Sequence, residues 1–341
     1  MPTIKDVAER AGVSVATVSR TLNGVPSVDP VMAKRVRAAA QALGYRANGV
    51  ARSLRRRQTD VWALIISDVA NPFFTAIARG VEDVAQQAGY SVLLCNSDED
   101  AEKEARYLEV AERSLVSGVL LSPTVTGSDI GRLHAVGIPV VAVDRNLSEP
   151  VDSVVADSTT GALKATEHLF EQGWRRPACI TGPRQAATAE QRMQGFLDAL
   201  SRHRVRRARS LVRHTNYQAD GGREATAGLL DGADPPDALF VANSELALGA
   251  LEELTARGLR LGRDVGMVAF DDAPWAAFIE APLTVVAQPA YEIGAEAARL
   301  LLDRIAAARD LPKDRRPAPA PPRTVLLGTR LIIRESSRRR R

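Results

Sequence analysis

The chain is poor in the groups that most enzymes depend on. It has only four His and two Cys in 341 residues, with no pair of them at metal-ligand spacing. It also has no G-x-S-x-G nucleophile elbow and no Walker loop. Asp271 and Asp272 are the nearest thing to paired catalytic carboxylates, but adjacent side chains at a strand end point apart. A non-enzyme without metal or cofactor is therefore expected. Cys95 and Cys179 each sit inside an apolar run, SVLLCNS and PACITG, as small buried hydrophobes. Nowhere do about 18 apolar residues follow one another, as a membrane span requires, and MPTIKDVAER has no signal-peptide core. The expected setting is the cytoplasm, in association with the nucleoid.

What the chain does have is a soluble globular composition, 45% hydrophobic and 25% charged, enough for two or three domains. Its charge is segregated. Residues 1–58 carry a net +8, the stretch 59–333 a net −8, and the last eight residues five Arg against one Glu. A cationic head on an anionic body suggests that the head meets a polyanion, because Lys and Arg release counterions from phosphates.

Local signals divide the head. Thr3 with Asp6 makes a T-x-x-D cap for a helix over Ile4–Ala11. Gly12 permits a tight turn, and Ser14 caps a second helix, Val15–Leu22. Val7, Ala8, Val18 and Leu22 face inward, which leaves Val15, Ala16, Thr17, Ser19 and Arg20 outside as base-reading candidates of a helix-turn-helix. Asp29 and Pro30 announce a third helix through Val31, Val36 and Leu43 that stops at Gly44. The segment NGVARSLRRRQ, residues 48–58, is a flexible basic linker that can fold on DNA, with Leu54 wedged in the minor groove and Arg52, Arg55 and Arg56 around it.

From Val61 onward apolar strand-like runs alternate with helical patterns, and the series restarts after Asp157. Two doubly wound parallel-sheet lobes follow. Ligands in such folds bind beyond the carboxyl ends of strands, where Asp68, Asn71, Asp144, Arg145, Asn243 and Asp271 lie. Carboxylates, amides and Arg forks suit vicinal hydroxyls, and Phe73 or Phe74 can cover an apolar sugar face from the loop after Asn71-Pro72. Trp275 is close enough to Asp271 to reach the cleft mouth. The Pro-rich stretch 310–322 is a spacer before a last strand, Thr324–Leu327, and the Arg338–Arg341 run is an unstructured tail.

TIKDVAERAGVSVATVSRTLNG followed by ARSLRRRQT resembles the head and hinge of the LacI family of bacterial repressors. NPFF at 71–74, DR at 144–145, RMQGF at 192–196, ANSELALGA at 242–250 and LIIRESS at 331–337 extend the likeness over nearly the whole chain. The resemblance implies a homodimer on a near-palindromic double-stranded DNA operator, with paired hinge helices at its centre. To the DNA-contact set it adds Thr3, Lys5, Ser14, Asn23, Tyr45, Asn48 and Ala51. Ala47 stands where members usually carry Pro.

The body resembles periplasmic sugar-binding proteins of ribose type. Their pattern falls here on Asn71, Phe73, Phe74, Asp144, Arg145, Arg192, Tyr217, Asn243, Asp271 and Gln288. Ser244 replaces an Asp common in the family, a change expected at a helix cap.

The reading assigns 1–47 to the helix-turn-helix domain, 48–59 to the hinge and 60–337 to the two-lobed body, with 338–341 as tail. Lobe 1 takes 60–158 plus 289–322, and lobe 2 takes 159–288 plus 323–337. The expected function is a ligand-responsive repressor of carbohydrate-utilisation genes answering to a ribose- or pentose-like sugar. A purine, nucleoside or phosphorylated corepressor is the alternative.

Overall fold

The computed structural model describes residues 2–22, 27–45, 58–124, 128–205, 208–309 and 321–339. Two compact units divide at Thr59 and Asp60.

The first unit is a three-helix head: α1 (Ile4–Ala11), α2 (Val15–Leu22) and α3 (Pro30–Ala42). Each start follows from its cap. Thr3 N–H donates to Asp6 at 2.7 Å while Thr3 Oγ accepts from Asp6 N–H at 3.4 Å, a reciprocal capping box. Ser14 accepts from Thr17 N–H, and Asp29 from Val31 and Met32 N–H. The α1–α2 turn needs Gly12, whose φ is +62° and whose missing Cβ leaves room for Arg35 Nη2. Arg35 donates to Ala11 O at 2.5 Å, placing a cation at the carboxyl end of α1. Val7, Ala8, Ala11, Val18, Val36, Ala39 and Ala40 form the core. Val31 does not join it and is 69% exposed, because the first turn of α3 faces solvent and the inward stripe runs through Ala33, Val36 and Ala40.

The second unit holds two six-stranded sheets. Its elements run β1 (Val61–Ile66), α4 (Pro72–Gln87), β2 (Ser91–Asn96), α5 (Ala101–Arg113), β3 (Gly118–Leu121), α6 (Gly131–Val136), β4 (Val140–Val143) and β5 (Asp152–Ala156). Then come α7 (Ser158–Glu171), β6 (Pro177–Thr181), α8 (Ala187–Arg202), β7 (Val212–His214), α9 (Ala219–Leu230), β8 (Ala238–Val241), α10 (Ser244–Ala256) and β9 (Gly266–Phe270). The chain closes with β10 (Thr284–Ala287), α11 (Ala290–Arg309), β11 (Thr324–Leu327) and β12 (Arg330–Ile332).

The sheet orders are β11-β5-β4-β3-β1-β2 in lobe 1 and β12-β10-β9-β8-β6-β7 in lobe 2. Apolar strands such as β9, buried throughout, and β1, buried from Trp62 to Ile66, mark sheets covered by helices on both faces. The chain crosses between lobes at Asp157, at Gln288 and at Gly328–Thr329.

Three expectations need correcting here. Thr324–Leu327, expected in lobe 2, pairs with β5 as the edge of lobe 1. It is also not the last strand: β12 follows and runs antiparallel to β10, so lobe 2 is not purely parallel. Arg339 is no loose tail residue, since it stacks over Trp174 at 4.8 Å and donates to Gly173 O.

The segment before Arg339 seals lobe 2. Ser336 Oγ accepts from Thr284 N–H and donates to Met267 O. Ser337 O accepts from the Trp174 indole at 2.7 Å, and Ser337 Oγ lies 2.8 Å from His168 Nε2. Burial holds the His168 pKa below its ordinary value.

Candidate functional site

A cavity of about 200 Å³ lies between the lobes of the second unit. All eleven body residues expected at a ligand site line it: Asp68, Asn71, Phe73, Phe74, Asp144, Arg145, Arg192, Tyr217, Asn243, Asp271 and Gln288. Lobe 1 supplies them from the ends of β1 and β4 and the start of α4. Lobe 2 supplies them from α8, the β7–α9 turn and the ends of β8, β9 and β10.

Two aspartates occupy equivalent places in the two halves. Asp144 follows β4 and Asp271 follows β9, each with positive φ, 66° and 71°. Each donates its N–H at 3.0 Å to the neighbouring strand, at Val154 O and Val286 O. A non-glycine residue in that region carries about 1–2 kcal/mol of strain, which the ladder hydrogen bonds hold in place. Both carboxyls are buried.

Burial pushes the Asp144 pKa up against the pull of Arg145 and Arg192. It pushes that of Asp271 up against Arg192, a 2.7 Å hydrogen bond from Gln288 and the N–H of Ser244. Arg192 is fixed by Ala242 O at 2.5 Å and stacks over Phe270 at 4.2 Å. Arg145 is held by Glu99 and Pro123 O and lies 5.9 Å from the Tyr217 ring, which reaches it from the other lobe.

Several of these residues also do ordinary local work. Asp68 accepts from Ala70 N–H, Asn71 caps α4 through Phe73 N–H, and Asn243 caps α10 through Leu246 N–H. Asn243 and not Ser244 is the cap residue, and the Ser244 hydroxyl is buried without a hydrogen-bond partner. Phe73 and Phe74 sit in the first turn of α4 and not in a loop, because Asn71-Pro72 forms the cap and first helical position. They meet edge to face at 5.1 Å and belong to the lobe 1 core as well as to the cavity wall. Trp275 does not reach the cavity and packs on the lobe 2 core.

Ser67, Ala70, Asp98, Glu99, Thr188, Gln218 and Glu245 also line the cavity and were not singled out from the sequence. Ser67, Asp98 and Glu99 follow strands just as the recognised residues do, so the strand-end rule could have found them. Gln218 and Thr188 gave no such signal. Thr188 meets the Tyr217 hydroxyl at 3.1 Å. Glu245 is pushed to a higher pKa by burial and by the facing Asp68 and Asp271.

In the head, Thr3, Lys5, Ser14, Val15, Ala16 and Arg20 are exposed, and Thr17, Ser19 and Tyr45 are half-buried. Ser14 and Thr17 hydroxyls bond each other at 2.9 Å, and Tyr45 packs on the head core. Asn23, Asn48, Ala51, Arg52, Leu54 and Arg55 lie outside the described residues. Among the described residues no cluster of His, Cys, Asp and Glu could hold a metal, and no helix is long and apolar enough to cross a membrane.

A helix-turn-helix unit joined to a two-lobed α/β body with an interlobe cavity defines the class of bacterial transcription regulators. Residues 3–48 match the family model of bacterial regulatory proteins of the lacI family. Residues 59–319 match that of periplasmic binding proteins and the sugar-binding domain of the LacI family. The chain is 38% identical to the ribose operon repressor of Halalkalibacterium halodurans, over 89% of this chain and 91% of that one.

Among solved structures it is similar to the lac repressor dimer bound to operator and an anti-inducer, with TM-score 0.81 and 27% identity over 98% of this chain and 99% of that one. It is also similar to a LacI-family regulator from Enterococcus faecium with bound ribose, with TM-score 0.70 and 27% identity over 82% and 100%. The chain belongs to the LacI family. It is a DNA-binding transcriptional repressor and not an enzyme.

Proposed function

We propose that the protein represses carbohydrate-utilisation genes and releases or grips its operator according to a ribose- or pentose-like sugar in the interlobe cavity. The observation that carries this reading is the convergence of Asp144, Arg145, Arg192, Asn243, Asp271 and Gln288 from both lobes onto one small space. Carboxylates accept from sugar hydroxyls, guanidinium and amide N–H groups donate to them, and Phe73 and Phe74 offer an apolar wall. The similar Enterococcus faecium regulator holds ribose, and the H. halodurans relative is a ribose operon repressor. The carboxylates Asp68, Asp98, Glu99, Asp144, Glu245 and Asp271 outnumber the guanidiniums Arg145 and Arg192 in the lining. This disfavours a phosphorylated corepressor.

On DNA the protein acts as a homodimer on a near-palindromic operator. Val15, Ala16, Thr17, Ser19 and Arg20 of α2 read the major groove, and residues 48–59 form the hinge. Apolar surface on the body supports the dimer: Leu93 and Leu94 are exposed on edge strand β2, and Phe278 is 87% exposed in lobe 2. Because the cavity is built from both lobes, a ligand that closes them couples to the operator by about 1–3 kcal/mol.

A thermal-shift screen of pentoses, hexoses and nucleosides, followed by selection of DNA from a random pool with and without the best ligand, tests the reading. A pentose that stabilises the protein and changes the affinity of the selected DNA several-fold is expected. No stabilisation by any neutral sugar, or operator affinity indifferent to a saturating one, overturns it.

A further inference from the structure

Arg145 is 6% exposed, yet its guanidinium is already engaged. Glu99 takes it two-pronged, Oε1 to Nη2 at 2.7 Å and Oε2 to Nη1 at 2.9 Å. Pro123 O accepts from Nη1 at 3.1 Å, and Pro123 is itself fixed by buried Glu104, which accepts from Thr124 N–H at 2.8 Å. Two donors are left over, the second N–H of Nη2 and Nε–H, and Nε is buried with no hydrogen-bond partner. Its nearest acidic atom is Asp144 Oδ2 at 3.5 Å.

The turn that carries Glu99 is built to present it. Asp98 and Glu99 are consecutive non-glycine residues with left-handed φ, 54° and 57°, a costly pairing that persists only where its surroundings enforce it. The enforcement is visible. Asn96 donates to Asp98 at 2.6 Å and accepts from Val69 N–H at 3.0 Å, Lys103 pairs with Asp98, and Asp100 caps α5 through Glu102 and Lys103 N–H.

A free two-pronged guanidinium in a buried cavity is a receptor for carboxylate or phosphate. Here the end-on fork is filled from within, and the carboxylate that fills it also balances the charge. We propose that Glu99 is a specificity-determining residue of the cavity: by occupying the end-on fork of Arg145 and balancing its charge it leaves the ligand only the side-on N–H groups of an already paired guanidinium, so that the arginine reads hydroxyls and rejects sugar acids and phosphorylated sugars. The inference rests on the sugar-effector reading above and narrows its ligand to the uncharged form.

The test uses the full-length protein and three variants, Glu99→Ala, Glu99→Asp and the double variant Glu99→Ala with Arg145→Met. Sodium formate supplies a carboxylate small enough to enter the vacated fork. In thermal shifts against sodium chloride of equal ionic strength, Glu99→Ala should gain a formate-specific rise of at least about 2 °C. Wild type, Glu99→Asp and the double variant should lack it. By calorimetry, the ratio of the D-ribonate to the D-ribose dissociation constant should fall at least about tenfold in Glu99→Ala. Glu99→Gln, which keeps the side-chain shape, carries that comparison if the alanine variant does not fold.

A formate response in Glu99→Ala no larger than in wild type overturns the proposal. If wild type binds no pentose at all, the effector reading falls, and the formate comparison still decides the role of Glu99.

Discussion

Asp152 offers the most searching test of how the body is held together. It opens β5 with its side chain fully buried, and three groups converge on it. Arg304 of α11 donates Nε to Oδ2 at 2.8 Å and Nη2 to Oδ1 at 2.6 Å, and Arg323 N–H donates to Oδ1 at 2.7 Å just before β11. One carboxylate thus ties α11 and the lead-in to the third interlobe crossing onto β5.

Breaking a buried pair from one side costs about 3–5 kcal/mol, because the partner charge is stranded. Arg304 keeps 20% side-chain exposure and Arg323 49%, so both can rehydrate in part, which places Asp152→Ala near the lower bound. About 3 kcal/mol at a urea slope near 3 kcal/mol/M lowers the midpoint by about 1 M.

Burial alone would raise the Asp152 pKa, but the Arg304 and Arg323 hydrogen bonds outweigh it and hold it below the ordinary value. The stabilisation is therefore complete above the unfolded-state value of about 3.9 and fades as pH falls through the lower folded value. Urea melts of wild type and Asp152→Ala at pH 7 should differ by the full amount and converge in acid. A midpoint drop under about 0.3 M, or a gap that widens below pH 4, refutes the assignment.

Three further outcomes follow from other contacts. Thr3→Ala removes half of the α1 capping box and should cost the helix about 0.5–2 kcal/mol, read as faster hydrogen exchange across Val7–Ala11 in the full chain with the body amides unchanged. Gly249→Ala would ordinarily favour a helix, but here the new Cβ falls 1.7 Å from Ala219 O where α9 and α10 touch. Its melting temperature should drop by several degrees, the opposite of the propensity effect. Leu93→Lys combined with Phe278→Lys should convert a dimer to a monomer in sedimentation at micromolar concentration, and an unchanged dimer would place the interface elsewhere.

What could be read from the chain divides by range. Thr3, Asp6, Ser14, Asp29 and Pro30 act within three or four residues, so the caps of the head were legible directly. Fully apolar strands such as β1 and β9 announced themselves, and with them the strand-end residues that line the cavity. Decisions settled by distant partners were not legible. Thr324–Leu327 is apolar enough for either sheet, and only its register with β5 assigns it to lobe 1. The three-residue β12 has no pattern of its own and is fixed by β10 and by Ser336–Ser337.

Val31 sits at a hydrophobic letter in the helical period but in the exposed first turn of α3. Glu99 stands beyond a strand end like the legible residues, but what it does there is set by Arg145, 46 residues further on.

Both sheets are finished at their edges by strands drawn from the same short stretch, 324–332, and lobe 2 is sealed only at Ser336–Ser337. Among the described residues the core of the head is drawn from Ile4 to Tyr45. During synthesis at roughly 5–20 residues per second, that head is complete about 15–60 s before either lobe can close. Translation therefore delivers the helix-turn-helix unit first and the two lobes with their cavity last.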